Sequence, residues 1–240
     1  MGTAWIMGFF ASAIGTGFGG GFAWMLKGFH KKISTVYALC AGMLMGLLFL
    51  EMFPESIDMG GWIPLLFGII VGWTLFQSFH LLMHKITIVT GNPQKDVFVQ
   101  TGLLLSLSIA VHNFPIGVAI GAADGSLISK EMMMTLAFHN IPEGIIIFTP
   151  LFLAGLRLVT WILCTLSIAT PVAIGALIGE FVGRGNQWLL AFMINIALAI
   201  ILMVTVKEIF KESVKHSSVV YSSLIGTIGF LVIYFYLSLF

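Results

Sequence analysis

The chain has 240 residues, 59% hydrophobic and only 9% charged, with 11 Lys+Arg against 10 Asp+Glu and a mean hydropathy of +1.07. Soluble domains carry about 25% charged residues, so this chain cannot coat a water-exposed surface. The near-neutral balance excludes the basic face of a nucleic-acid binder, and the hydrophobicity excludes disorder.

What remains is an all-α, multi-pass integral membrane protein, a single transmembrane domain over residues 1–240. In chain order, apolar segments of spanning length run at about 3–26, 34–54, 61–83, 98–122, 131–154, 158–179, 187–207 and 219–240, predicting eight transmembrane helices. The first begins apolar, with no basic n-region and no small-residue cleavage site, which predicts a retained span. Its GTGFGGG stretch at residues 15–21 predicts close helix contact, because small residues let backbones approach. Cys40 and Cys164 lie in apolar surroundings and offer neither a disulfide framework nor a thiolate metal cage. No loop is long; the polar stretch from His84 to Asp96 is about a dozen residues, too short for a soluble domain.

Charge placement orients the chain. Lys27, Lys31, Lys32, Lys85, Lys95, Arg157, Lys207, Lys211 and Lys215 follow the odd-numbered spans. Only Lys130 and Arg184 follow the even-numbered ones, among Glu55, Asp58, Asp124, Glu131 and Glu180. By the positive-inside rule, both termini are expected on the non-cytoplasmic side.

Two internal echoes stand out. EMFPES at residues 51–56 returns as EIFKES at 208–213, at opposite membrane faces, the trace expected of an inverted repeat. HNFPIG at 112–117 returns as HNIPEG at 139–144, on adjacent antiparallel spans. Pro115 and Pro142 each remove a backbone donor and free the carbonyl four residues back, which predicts broken helices facing one another at mid-membrane.

Ionisable residues inside a bilayer cost about 2.5–3.5 kcal/mol each and need a partner or a purpose. Glu143 follows His139 by four residues, which puts both on one helical face, and His112 faces them from the neighbouring span. Two imidazoles and one carboxylate suit Zn²⁺, with Fe²⁺ or Mn²⁺ as alternatives; Asn113 and Asn140 add amide oxygens. A lone intramembrane His or Asn is more often hydrogen-bonded helix glue; duplication of the motif favours the metal reading. Glu51 and Glu208 either snorkel to the interface or line a pathway. His80 and His84 read as an interfacial pair, and Met132–Met134 as packing or lipid-facing residues. The motifs HExxH and GxSxG are absent from the sequence, so catalysis finds little support.

At HNFPIG and HNIPEG the sequence resembles the ZIP (Zrt/Irt-like) family of divalent-metal transporters, and AGMLMGLLFLEMFPES and VKEIFKES extend the likeness to the second and seventh spans. The resemblance implies an inverted-repeat bundle of three spans, a central pair and three spans. It also implies a midplane metal site at His112, Asn113, His139, Asn140 and Glu143, with the metal as substrate and no prosthetic group. Two positions depart from the family: Ile116 and Thr170 stand where a glutamate is usual, so one ion at most is expected. The family's His-rich loop between spans three and four is replaced by HKITIVTGNPQKD. The resulting expectation is a carrier moving a divalent transition metal into the cytoplasm by alternating access. Its partners are the bilayer, the ion and, compatibly, a second copy in a homodimer, and its place is the plasma (inner) membrane. The competing readings are a metal sensor or buffer of the same fold, and an intramembrane metal-dependent hydrolase.

Overall fold

The structure, a computed structural model, describes residues 2–26, 33–83, 91–123, 127–182 and 186–238. Lys27, His30, Lys31, Lys32, His84, Lys85, Asp124 and Arg184 therefore lie outside the described residues, and with them much of the charge asymmetry and most of the loop between the third and fourth spans.

Eight rods cross the molecule, with no strand among the described residues. They are α1 (Ala4–Leu26); α2 (Ile33–Leu47, a π-helical turn Leu48–Met52, then Phe53–Gly60); α3 (Trp62–Met83); α4 (Pro93–Ala122); α5 (Leu127–Leu153); α6 (Leu158–Val182); α7 (Gln187–Val204, a π-helical turn Thr205–Phe210, then Lys211–Lys215); and α8 (Val219–Leu237). Seven of them are long and apolar enough to cross a membrane. The remaining one, α3, is apolar over Trp62–Ser78, and its 22 residues reach about 33 Å at 1.5 Å per residue, enough to span. Side-chain caps begin the last two rods: Asn186 Oδ1 accepts from Leu189 N at 3.1 Å, and Ser218 Oγ accepts from Tyr221 N at 3.2 Å.

Helix contacts follow one symmetry. α1 lies along α5 as α6 lies along α4, and α2 lies along α8 as α7 lies along α3. Exchanging α1 with α6, α2 with α7, α3 with α8 and α4 with α5 leaves this pattern unchanged, as an inverted repeat of three spans about a central pair requires. Glycines make the approaches close. A Cβ at Gly15 or Gly19 would collide with the carbonyl of Ala137 or Ile141 on α5, and one at Gly175 or Gly179 with that of Phe114 or Val118 on α4. The GTGFGGG stretch thus does pack tightly at Gly15, Gly19 and Gly20, whereas Gly21 faces open space. Phe10, Phe18, Trp62, Phe67, Val220 and Phe235 are exposed on the outside, where a soluble protein would aggregate and a bilayer supplies hydrocarbon.

Two expectations need correction. The second and seventh helices continue to Gly60 and Lys215, past the expected ends at 54 and 207. And α4 and α5 run unbroken through Pro115 and Pro142. A single proline removes one donor, whereas unwinding would leave several backbone groups unpaired in hydrocarbon. The irregular turns lie instead in α2 and α7, at the two EMFPES/EIFKES echoes, where a wider turn breaks the regular ladder.

Candidate metal site

The two HNxP segments meet where α4 and α5 cross the middle of the bundle. His112, His139 and Glu143 are 0%, 2% and 1% exposed, and one donor atom from each lies within 4.8 Å of the other two. His112 Nε2 is 3.5 Å from Glu143 Oε1, and the imidazole centroids are 6.2 Å apart. An ion about 2.1 Å from each donor holds them within about 4.2 Å of one another, so a small inward movement completes the shell. Among the described residues, neither nitrogen of either imidazole has a hydrogen-bond partner, and neither does Glu143 Oε2. Orphaned buried polar atoms are costly and rare; here one donor atom from each of three such residues comes together, which suits a cation.

The asparagines are held from behind. Asn113 Nδ2 donates to Ile168 O on α6 at 3.0 Å, and Asn140 Nδ2 donates to Ser12 Oγ on α1 at 2.8 Å. Each amide thereby spends its donor on the helix that packs against its own, leaving both Oδ1 atoms without a partner among the described residues. Ser12, fully buried, is a supporting residue that sequence reading did not find; an isolated serine in an apolar span carries no signal.

A cavity of about 30 Å³, with room for about two water molecules, lies beside the site. Met52, Glu55, Ser56, Ile116, Met132, Thr135, His139 and Ile194 line it. It lies toward the membrane face carrying both chain termini, where α2 ends and where Gly2 N donates to Glu180 Oε1 at 2.7 Å. Glu51 accepts a 3.2 Å hydrogen bond from Thr135 Oγ1, one helical turn from His139. Met132 thus faces the cavity, Met133 is buried and only Met134 is well exposed.

Toward the opposite face, Glu208 Oε1 meets His80 Nδ1 at 2.9 Å, and Lys207 Nζ donates to Gln77 Oε1 at 3.0 Å. His80 therefore pairs across to α7; His84, its expected interfacial partner, lies outside the described residues. The structure brings neither Glu51 nor Glu208 into the central three-residue cluster; each stands to one side of it.

The two departures from the family pattern behave differently. Ile116 is 4% exposed, packs in an apolar cluster with Ile120, Leu136 and Val172, and shares the cavity with His139. Thr170 is exposed, and its hydroxyl donates back to Leu166 O at 2.8 Å.

Comparison with curated proteins finds no match for the chain. Residues 84–236, however, match the family model described as ZIP Zinc transporter. That stretch is more than half of the chain and includes both HNxP segments, α4 to α7 and nearly all of α8; the chain belongs to the ZIP zinc transporter family, a family of transmembrane metal transporters.

Proposed function

We propose that this chain carries a divalent transition-metal cation, zinc before Fe²⁺ or Mn²⁺, across the plasma (inner) membrane into the cytoplasm. The whole chain, residues 1–240, acts as one transmembrane unit. The ion binds His112, His139 and Glu143, with Asn113 and Asn140 supplying amide oxygens, and the two membrane faces reach this site in alternation. One observation carries the reading: two imidazoles and a carboxylate, almost fully buried, converge within 4.8 Å with their acceptor atoms unpartnered. Borderline nitrogen donors with a single carboxylate suit zinc better than a hard cation such as Mg²⁺.

One ion is carried at a time. Ile116 contributes no donor, and Thr170 turns its hydroxyl to its own helix, so among the described residues no second cluster of metal-ligating side chains stands beside Glu143. With both termini on the non-cytoplasmic side, the cavity next to His139 opens the site toward the outside. Glu51 stands on that approach and Glu208 on the way out.

Zinc uptake into sealed proteoliposomes tests the reading. Wild-type protein fills the lumen, whereas His139→Ala and Glu143→Ala each abolish uptake while remaining monodisperse in detergent. Near-normal uptake by either variant removes the site assignment. Wild-type protein that binds zinc without filling the lumen is a sensor or buffer, not a carrier.

A further inference from the structure

The symmetry of the fold pairs residues as well as helices. Thr135 precedes His139 by four positions on α5, and Ser108 precedes His112 by four positions on α4. Glu51 lies in the π-helical turn of α2, and Glu208 lies in that of α7. Exchanging the two halves of the chain therefore carries Thr135 onto Ser108 and Glu51 onto Glu208.

The two sides are nevertheless unequal. On the terminal face the pair is made: Thr135 Oγ1 donates to Glu51, and the cavity reaches His139 beside it. On the opposite face it is not. Ser108 is 2% exposed and its Oγ has no hydrogen-bond partner among the described residues, while Glu208 is held by His80. A buried hydroxyl left unpaired is unfavourable, and the carboxylate that symmetry assigns to it is engaged elsewhere. Such an arrangement suits one of two alternating states, in which each half of an inverted repeat takes in turn the conformation its mate has left.

We propose that Ser108 and Glu208 form the inner counterpart of the Thr135–Glu51 pair, and that the two pairs exchange during transport. When the site opens to the cytoplasm, Glu208 leaves His80 and accepts from Ser108 Oγ, while Glu51 leaves Thr135. Ser108 is then a positioning residue: it orients the Glu208 carboxylate one helical turn below His112, where a departing divalent cation next meets a negative charge. The inference rests on the carrier reading above, since a protein that never changes state has no second conformation to form.

The test uses full-length protein in proteoliposomes, with Cys40→Ala and Cys164→Ala as background. Two double variants, Thr135→Cys/Glu51→Cys and Ser108→Cys/Glu208→Cys, are treated with a short bifunctional methanethiosulfonate. Both are expected to cross-link, the outer pair at once and the inner pair more slowly. Absence of the inner cross-link in folded protein whose outer pair does cross-link overturns the proposal. Absence of both overturns it as well, because the outer pair is its template. Zinc uptake by the background protein keeps the two readings apart. Uptake without the inner cross-link refutes the exchange alone, and an inner cross-link without uptake refutes the carrier reading alone. In otherwise wild-type protein, Ser108→Ala is expected to slow uptake about tenfold through loss of one hydrogen bond to a carboxylate. Equilibrium zinc affinity stays unchanged, and Ser108→Thr restores the rate; an Ala variant at full rate, or a Thr variant as slow as Ala, refutes the role.

Discussion

Replacing Ile116 with glutamate probes the central site most directly. The side chain is 4% exposed, stands four residues after His112 and shares with His139 a cavity of about 30 Å³, so a carboxylate there has room to approach an ion. At about 4 Å from a divalent cation and an effective dielectric constant near 20, one negative charge gains on the order of 8 kcal/mol. Desolvating the new carboxylate takes back several kcal/mol. In the metal-free variant the introduced carboxylate and Glu143 would lie close together, so one of them holds a proton that the metal must expel. About 1–3 kcal/mol survives, and Ile116→Glu is expected to bind zinc about tenfold to a hundredfold more tightly. Because the metal-free pair carries the extra proton, affinity rises with pH more steeply than in wild type. The variant also loses apolar contacts with Ile120, Leu136 and Val172, so its metal-free form melts lower. Titration calorimetry of both proteins in detergent at two pH values reads the result. Unchanged or weaker affinity at the higher pH would mean that position 116 does not face the ion, and the cavity would lose its connection to the metal.

The wild-type site has its own pH dependence. Protons and metal compete for the donor atoms of His112, His139 and Glu143, so zinc affinity is expected to fall as pH drops; a flat profile from calorimetry argues against ligation by this cluster. Gly42→Val is expected to destabilise the fold by about 1–3 kcal/mol, seen as a lower thermal midpoint in detergent, because its Cβ would run into the Gly226 carbonyl on α8. An unchanged midpoint would mean that α2 and α8 are not in contact there. Tags at either terminus are expected to be labelled from outside intact cells, and a cysteine introduced beside Lys32 is not; the opposite pattern reverses the proposed direction of transport.

Much of this was legible in residue order. Eight apolar runs of spanning length leave a helical bundle as the arrangement that satisfies the backbone in hydrocarbon, and that constraint is local enough to read directly. The repeated His-Asn-x-Pro pointed to α4 and α5 because an identical costly motif on two adjacent spans is improbable as packing. The i, i+4 spacing of His139 and Glu143 also put them on one face without any tertiary information. The boundaries of α2 and α7 were less legible. Charged residues such as Glu55, Glu208 and Lys211 look like helix ends, yet in the fold Glu208 sits in a widened turn and the helices run on through Glu55 and Lys211.

Pattern therefore determined the class of protein, the approximate number and place of its helices and the identity of the central polar cluster, because each depends on hydrophobicity or spacing within one segment. Tertiary structure alone decided how the helices pair, which way the asparagine amides turn, that His80 meets Glu208, that Thr135 meets Glu51 and that Ile116 lines a cavity beside His139. Those contacts join residues far apart in the chain, and nothing in a local pattern states which face of one helix will meet which face of another. Glycine shows the division most clearly. Gly15 and Gly21 belong to the same short stretch, but only the packed bundle sets the first against the Ala137 carbonyl and leaves the second in open space.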